Sequence, residues 1–211
     1  MSTRPLLAVL CVVLALIGPA AAQQPPDAPA ARSIASPPQR INDTYADALA
    51  RWRTPEDIAR FLDATFVYDR TRALALAEPT NASTARPAIY APADFYAKPQ
   101  GVCVDLARFG VETLDRIDPK LSARYLMIEF APVTIEGRTL RRHWIAMFRR
   151  DGALWFYADS SRPEKVDGPY ATIDAFIADY RKVRGREIVG WREQESFARR
   201  TKAQAKRELR S

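Results

Sequence analysis

Residues 140–159 read LRRHWIAMFRRDGALWFYAD, and this stretch decides the fold. Two apolar runs flank the turn signal Arg150-Asp151-Gly152, the pattern of two antiparallel strands joined by a tight hairpin. Both runs are apolar on consecutive residues in places, as expected of strands covered on both faces. Further strands are read at 124–130 and at 187–191. Before them the pattern is helical from Ile41 onward. Thr54-Pro55-Glu56-Asp57 is a helix start, with Thr as N-cap, Pro at the first helical position and acids in the first turn. A short helical segment is read at 72–77, a loop at 79–92, a helix over 101–117 closed by Asp118-Pro119, and another helix over 172–183. Helices first and an antiparallel sheet afterwards make an α+β domain.

The N-terminus carries an export pattern. Arg4 is followed by an apolar run over 6–17, Gly18-Pro19, and the small residues Ala20-Ala21-Ala22. Twelve apolar residues are too few to anchor the chain across a bilayer. The expected organisation is therefore a signal peptide over 1–22, a Pro/Ala-rich linker over 23–41, a folded domain over 42–195 and a basic C-terminal helix over 196–211. The expected location is the periplasm or the medium outside a bacterial-type cell. The linker, with five prolines in 23–40 and few core-forming residues, reads as a flexible, partly extended spacer.

Charge excludes little. The formal net charge is +7, of which the tail at 196–211 supplies +5, with six Lys/Arg against one Glu. That tail could associate weakly with membrane or cell-wall polymer, or be a solvated helix end. No aromatic residue is interleaved with its basic ones, so nucleic acid is not an expected partner. Oligomeric state is not legible.

Removal of the signal discards Cys11 and leaves Cys103 as the one thiol, so no intramolecular disulfide can form. His143 is the one histidine of the chain. Each has an ordinary reading, a small buried hydrophobe for the cysteine and a satisfied core imidazole for the histidine. Nucleophilic thiol catalysis, however, needs one of each. Cys103 lies in Gly101-Val102-Cys103-Val104-Asp105 at a helix start. There the free N–H groups of the first turn favour a thiolate, and the Cys103 N–H can form half of an oxyanion hole. Asp159 is the third candidate. If Arg150-Asp151-Gly152 is a three-residue loop, Arg149 pairs with Ala153 and His143 lies opposite Asp159. A two-residue loop would instead place Ser160 there and put Asp159 on the other face. One Cys and one His do not make a metal site, and no glycine-rich phosphate loop is present, so neither metal nor cofactor is expected.

GVCVDLA at 101–107, HWIAMF at 143–148 and LWFYADSSRP at 154–163 together resemble the transglutaminase-like superfamily of papain-related cysteine enzymes, including the bacterial transglutaminase-like cysteine peptidases. FLDATFVYD at 61–69 is similar to the segment that precedes the cysteine motif in that family. The resemblance implies a papain/transglutaminase-like fold, with N-terminal helices on an antiparallel sheet and the nucleophile at the start of a central helix. It implies Cys103 as nucleophile, His143 as general base and then acid, and Asp159 as the group that orients the imidazole. Candidates for the second oxyanion donor are Gln100, by proximity, and Tyr68, by its resemblance to a family position. The implied activity is cleavage or exchange of amide bonds in peptides or proteins through a cysteine thioester. The alternative is an inactive fold that binds a peptide, a wall fragment or a partner.

Overall fold

Two Thr-x-x-Asp sequences start the first two helices. The structure, a computed structural model, describes residues 24–29, 42–79 and 86–197. The export signal, most of the linker and residues 198–211 of the basic tail lie outside the described residues. Thr44 caps α1 (Tyr45–Arg51) and Thr54 caps α2 (Pro55–Thr65). In each, the threonine hydroxyl accepts from the N–H three residues on, and that aspartate accepts from the threonine N–H in return. The chain continues through β1 (Val67–Tyr68), α3 (Arg70–Leu76), β2 (Glu78–Pro79), α4 (Pro92–Ala97), β3 (Gln100–Gly101) and α5 (Cys103–Ile117). The sheet then follows as β4 (Arg124–Ile135), β5 (Arg138–Arg150), β6 (Ala153–Tyr157) and β7 (Asp167–Tyr170), before α6 (Ile173–Arg184) and β8 (Ile188–Gln194).

The main sheet is antiparallel in the order β7-β6-β5-β4-β8, with β2 also paired to β5. Alternate residues of its long central strands pack on opposite faces. Tyr125, Ala146, Phe148 and Tyr157 join Phe95, Leu106 and Phe109 of the N-terminal helices. Leu126, Ile128, Ile145, Met147 and Phe156 join Phe176, Ile177 and Tyr180 of α6. Coverage on both faces accounts for the consecutive apolar residues in β5 and β6. The α+β class is as expected. The short strands β1, β2, β3 and β7 and the helix α4 were not. Pro92 opens α4 just past the proline-rich stretch, and β7 is too short for its alternation to register.

The hairpin register corrects the sequence reading. Arg150 pairs with Ala153 and Arg149 with Leu154, so the loop is the two residues Asp151-Gly152. Both have positive φ, 54° and 77°, the combination that matches the right-handed twist of the flanking strands. This register taken alone would put Asp159 on the wrong face. β6 ends at Tyr157, however, and Ala158 adopts φ 53°, which breaks the pleat and returns Asp159 to the side of His143.

Close approach fixes α5 against the sheet. A Cβ on Gly110 would lie 2.8 Å from that of Ala158 and 3.2 Å from that of Ala146, and the Tyr157 hydroxyl donates to the Gly110 carbonyl at 2.7 Å. Gly110→Val should therefore lower the unfolding free energy by about 1–3 kcal/mol through overpacking, despite the better helix propensity of valine. Urea denaturation measures this, and an unchanged midpoint would contradict it.

Candidate active site

The start of α5 is held by a buried carboxylate. Asp105, in the first turn, accepts from the Val102 N–H at 3.1 Å, the Tyr90 N–H at 3.1 Å and the Arg72 guanidinium through two bonds of 2.8 Å. Asp105 is fully buried and Arg72 nearly so, and an unpaired charge there would be costly. The pair ties α3 to the turn that presents Cys103. Gly101 is required by the same arrangement, because a Cβ there would stand 2.9 Å from the Asp105 carboxylate. β1 pairs in parallel with β3, setting Tyr68 beside Gly101.

Cys103 is the first residue of α5 and is buried. The Trp144 backbone N–H favours its thiolate. The expected acidification is overturned: burial, then the nearby Asp27 carboxylate, push the thiol well above its ordinary pKa. The helix start and the Trp144 N–H do not outweigh them. Asp27 belongs to the segment read as a spacer, yet Pro25, Pro26 and Asp27 are buried. Cys103 and Asp27 share the lining of a cavity of about 320 Å³ with Val102, Leu140 and Trp144.

His143 and Asp159 are brought together. His143 is fully buried, and its Nε2 lies 3.1 Å from Asp159 Oδ1 and 3.0 Å from the Tyr180 hydroxyl. Tyr180 donates to Asp159 Oδ2 at 2.8 Å, so its oxygen is free to accept. The carboxylate can only accept from the ring, which places the proton of the neutral imidazole on Nε2. Nδ1 then carries the lone pair, and it has no hydrogen-bond partner among the described residues. Ser161 adds its N–H and hydroxyl to Asp159 Oδ1, at 2.8 and 2.7 Å, and Arg162 reaches Oδ2 at 3.4 Å. Burial works against ionisation of Asp159, but His143, Arg162 and Arg184 together hold its carboxyl well below the usual range.

The remaining candidates separate. Gln100 spends its side-chain amide on Asp69, 3.2 Å away at the cap of α3. The Tyr68 hydroxyl donates to Asp27 Oδ1 at 2.8 Å and stands within electrostatic reach of Cys103. Burial, then Asp27, push the Tyr68 phenol up, so it stays a donor. The cysteine and the imidazole are not joined by a hydrogen bond, since Nδ1 makes none. Tyr180, Arg72 and Asp27 escaped the sequence reading. Tyr180 sits on the apolar face of an amphipathic helix and reads as core, and Arg72 reads as a solvated helix residue. The one signal available for Asp105 was its fixed spacing from Gly101 and Cys103. Among the described residues no group of three or more His, Cys, Asp or Glu could hold a metal ion. No helix there is long and apolar enough to cross a membrane.

No protein-family model matches the chain, and no curated protein matches it. Among solved structures it is similar to calcium-bound LapG of Legionella pneumophila, at 16% identity and a TM-score of 0.37, over 73% of this chain and 78% of LapG. A likeness that distant carries no argument about activity.

Two stability measurements check the two ends of the site. Arg72→Ala should cost about 3–5 kcal/mol by leaving Asp105 buried and unpaired, and a loss no larger than that of a surface substitution would contradict this. Asp159 has a folded-state pKa below its unfolded value near 3.9, so its contribution is present above about pH 4 and is lost as pH falls. The urea midpoints of the parent and Asp159→Asn should therefore converge on acidification. A constant gap would contradict the assignment.

Proposed function

We propose that this chain is an exported thiol-dependent enzyme of papain/transglutaminase-like fold that cleaves or exchanges amide bonds of peptides or proteins, with Cys103, His143 and Asp159 as its catalytic set. The observation that supports it best is the buried His143–Asp159 pair, which protonates the ring at Nε2 and leaves the Nδ1 lone pair unused. A histidine serving only the core would have both nitrogens satisfied.

In this reading Nδ1 takes the proton of the Cys103 thiol, and the sulfur attacks the amide carbonyl. The negative charge on the carbonyl oxygen is met by the Cys103 N–H, in the unsatisfied first turn of α5, and by the Tyr68 hydroxyl. Gln100, engaged with Asp69, is the weaker candidate for that second donor. As the tetrahedral species collapses, the protonated imidazole gives its proton to the leaving amine, and a thioester remains on Cys103. Water, or another amine, then attacks with Nδ1 again as base. Asp159 stays ionised throughout and holds the imidazolium, with Tyr180 fixing the carboxylate from its other oxygen. Hydrolysis is favoured, since water is the default acceptor. Export rests on the sequence pattern at 1–22.

Burial of the Cys103 thiol, at 5% exposure, favours a second reading, an inactive fold that binds a peptide, a wall fragment or a partner. Activity separates the two. The exported chain, incubated with a peptide library, should yield new termini detected by mass spectrometry. Cys103→Ala or His143→Ala should abolish them, and Tyr68→Phe should lower the rate by about 10²–10³. Products that persist in Cys103→Ala would overturn the proposal, and so would their absence at every peptide tested.

A further inference from the structure

The segment over 24–29 has no evident reason to be buried. It is QPPDAP, separated from the domain by residues 30–41. It nevertheless turns on itself, with the Ala28 N–H donating to the Pro25 carbonyl at 3.0 Å. Its polar groups are matched one by one by residues distant in sequence. The Ser160 hydroxyl, fully buried, donates to the Asp27 carbonyl at 2.7 Å. Arg184, at the end of α6, donates to the Pro26 carbonyl. The Tyr68 hydroxyl donates to Asp27 Oδ1 at 2.8 Å, and Asp27 lines the same cavity as Cys103.

Resting on the reading of Cys103 as nucleophile, we infer that Ser160, Arg184 and Tyr68 form a peptide-binding subsite in front of Cys103, and that residues 25–28 occupy it as an inhibitory peptide in cis. The ligand class is a short, turn-forming peptide with an acidic side chain at the tip. Its backbone carbonyls are read by Ser160 and Arg184, and its carboxylate by Tyr68. Two features favour an occupant over a core element. The segment engages the site through carbonyls and a carboxylate, groups that any peptide of this shape offers. Its carboxylate holds the candidate oxyanion donor and lines the cavity beside the thiol, so a substrate carbonyl has both groups to itself only when the segment leaves its seat. Tethering makes such an occupant effective at modest intrinsic affinity, because the effective concentration of a linked segment is in the mM range for a short linker. Two prolines further reduce the conformational freedom lost on docking.

The test is the rate of Cys103 alkylation by iodoacetamide at a single pH near neutral, in the parent, in a chain lacking residues 24–29, and in Asp27→Ala. Deletion should raise the rate by about tenfold or more, since access of the reagent and ionisation of the thiol both increase. Asp27→Ala should raise it too. The peptide acetyl-QPPDAP-amide, added in trans, should slow alkylation of the deleted chain saturably, and should fail to do so after Ser160→Ala. Unchanged rates in both variants would overturn the inference, as would a peptide without effect. If the deleted chain no longer melts cooperatively, Asp27→Ala decides: a faster rate at an unchanged melting temperature supports the inference, and an unchanged rate overturns it. His143→Ala in the deleted chain separates this from the catalytic reading. A rate indifferent to His143 would sink the base assignment while leaving the subsite in place.

Discussion

One carboxylate organises the candidate site. Asp159 is reached by His143 from β5, by Tyr180 from α6, and by Ser161 and Arg162 from the loop that follows β6. A buried charge with so many donors is stable as an anion, and an unpaired one would not be. The same bonds fix the imidazole tautomer and join the central strand to the helix on one face of the sheet. If Asp159 lost its charge, the ring would lose the partner that keeps Nδ1 free.

The thiol is held from the opposite face by a second carboxylate. Asp105 closes the turn before α5 and, through Arg72, locks it to α3. Gly110, Ala146 and Ala158 let α5 lie directly on β5, with Cys103 and Trp144 lining one cavity, while the His143 ring stacks on Tyr180 of α6. The two halves are thus rigid and independently braced. What remains open is the contact between sulfur and ring, and Asp27 lines the cavity beside the thiol.

Much of this was legible in sequence, and the limits have physical causes. The helix over 101–117 was read within two residues of its observed start because Gly, a spaced apolar face and Asp-Pro mark both ends. The pairing of His143 with Asp159 was anticipated for the wrong reason. The assumed three-residue loop is a two-residue one, and the left-handed conformation of Ala158 restores the face that the true register would have lost. Alanine gives no sign of such a conformation. Tyr180 and Arg72 were invisible because their partners are 21 and 33 residues away. The linker misled because proline-rich composition reports the lack of a core, not the lack of a binding seat.

In the proposed reading the two braced halves carry the groups of a thiol enzyme, and the buried, protonated Cys103 is its resting state. These are compatible only if the sulfur can become a nucleophile. The most direct measurement is acid-quenched mass mapping of the chain, with and without residues 24–29, after brief incubation with a peptide library. A peptide-acyl adduct on Cys103, released by hydroxylamine and absent in His143→Ala, is the result expected. Peptides cleaved or exchanged with no acyl group ever on Cys103, or no adduct in either chain, would contradict it.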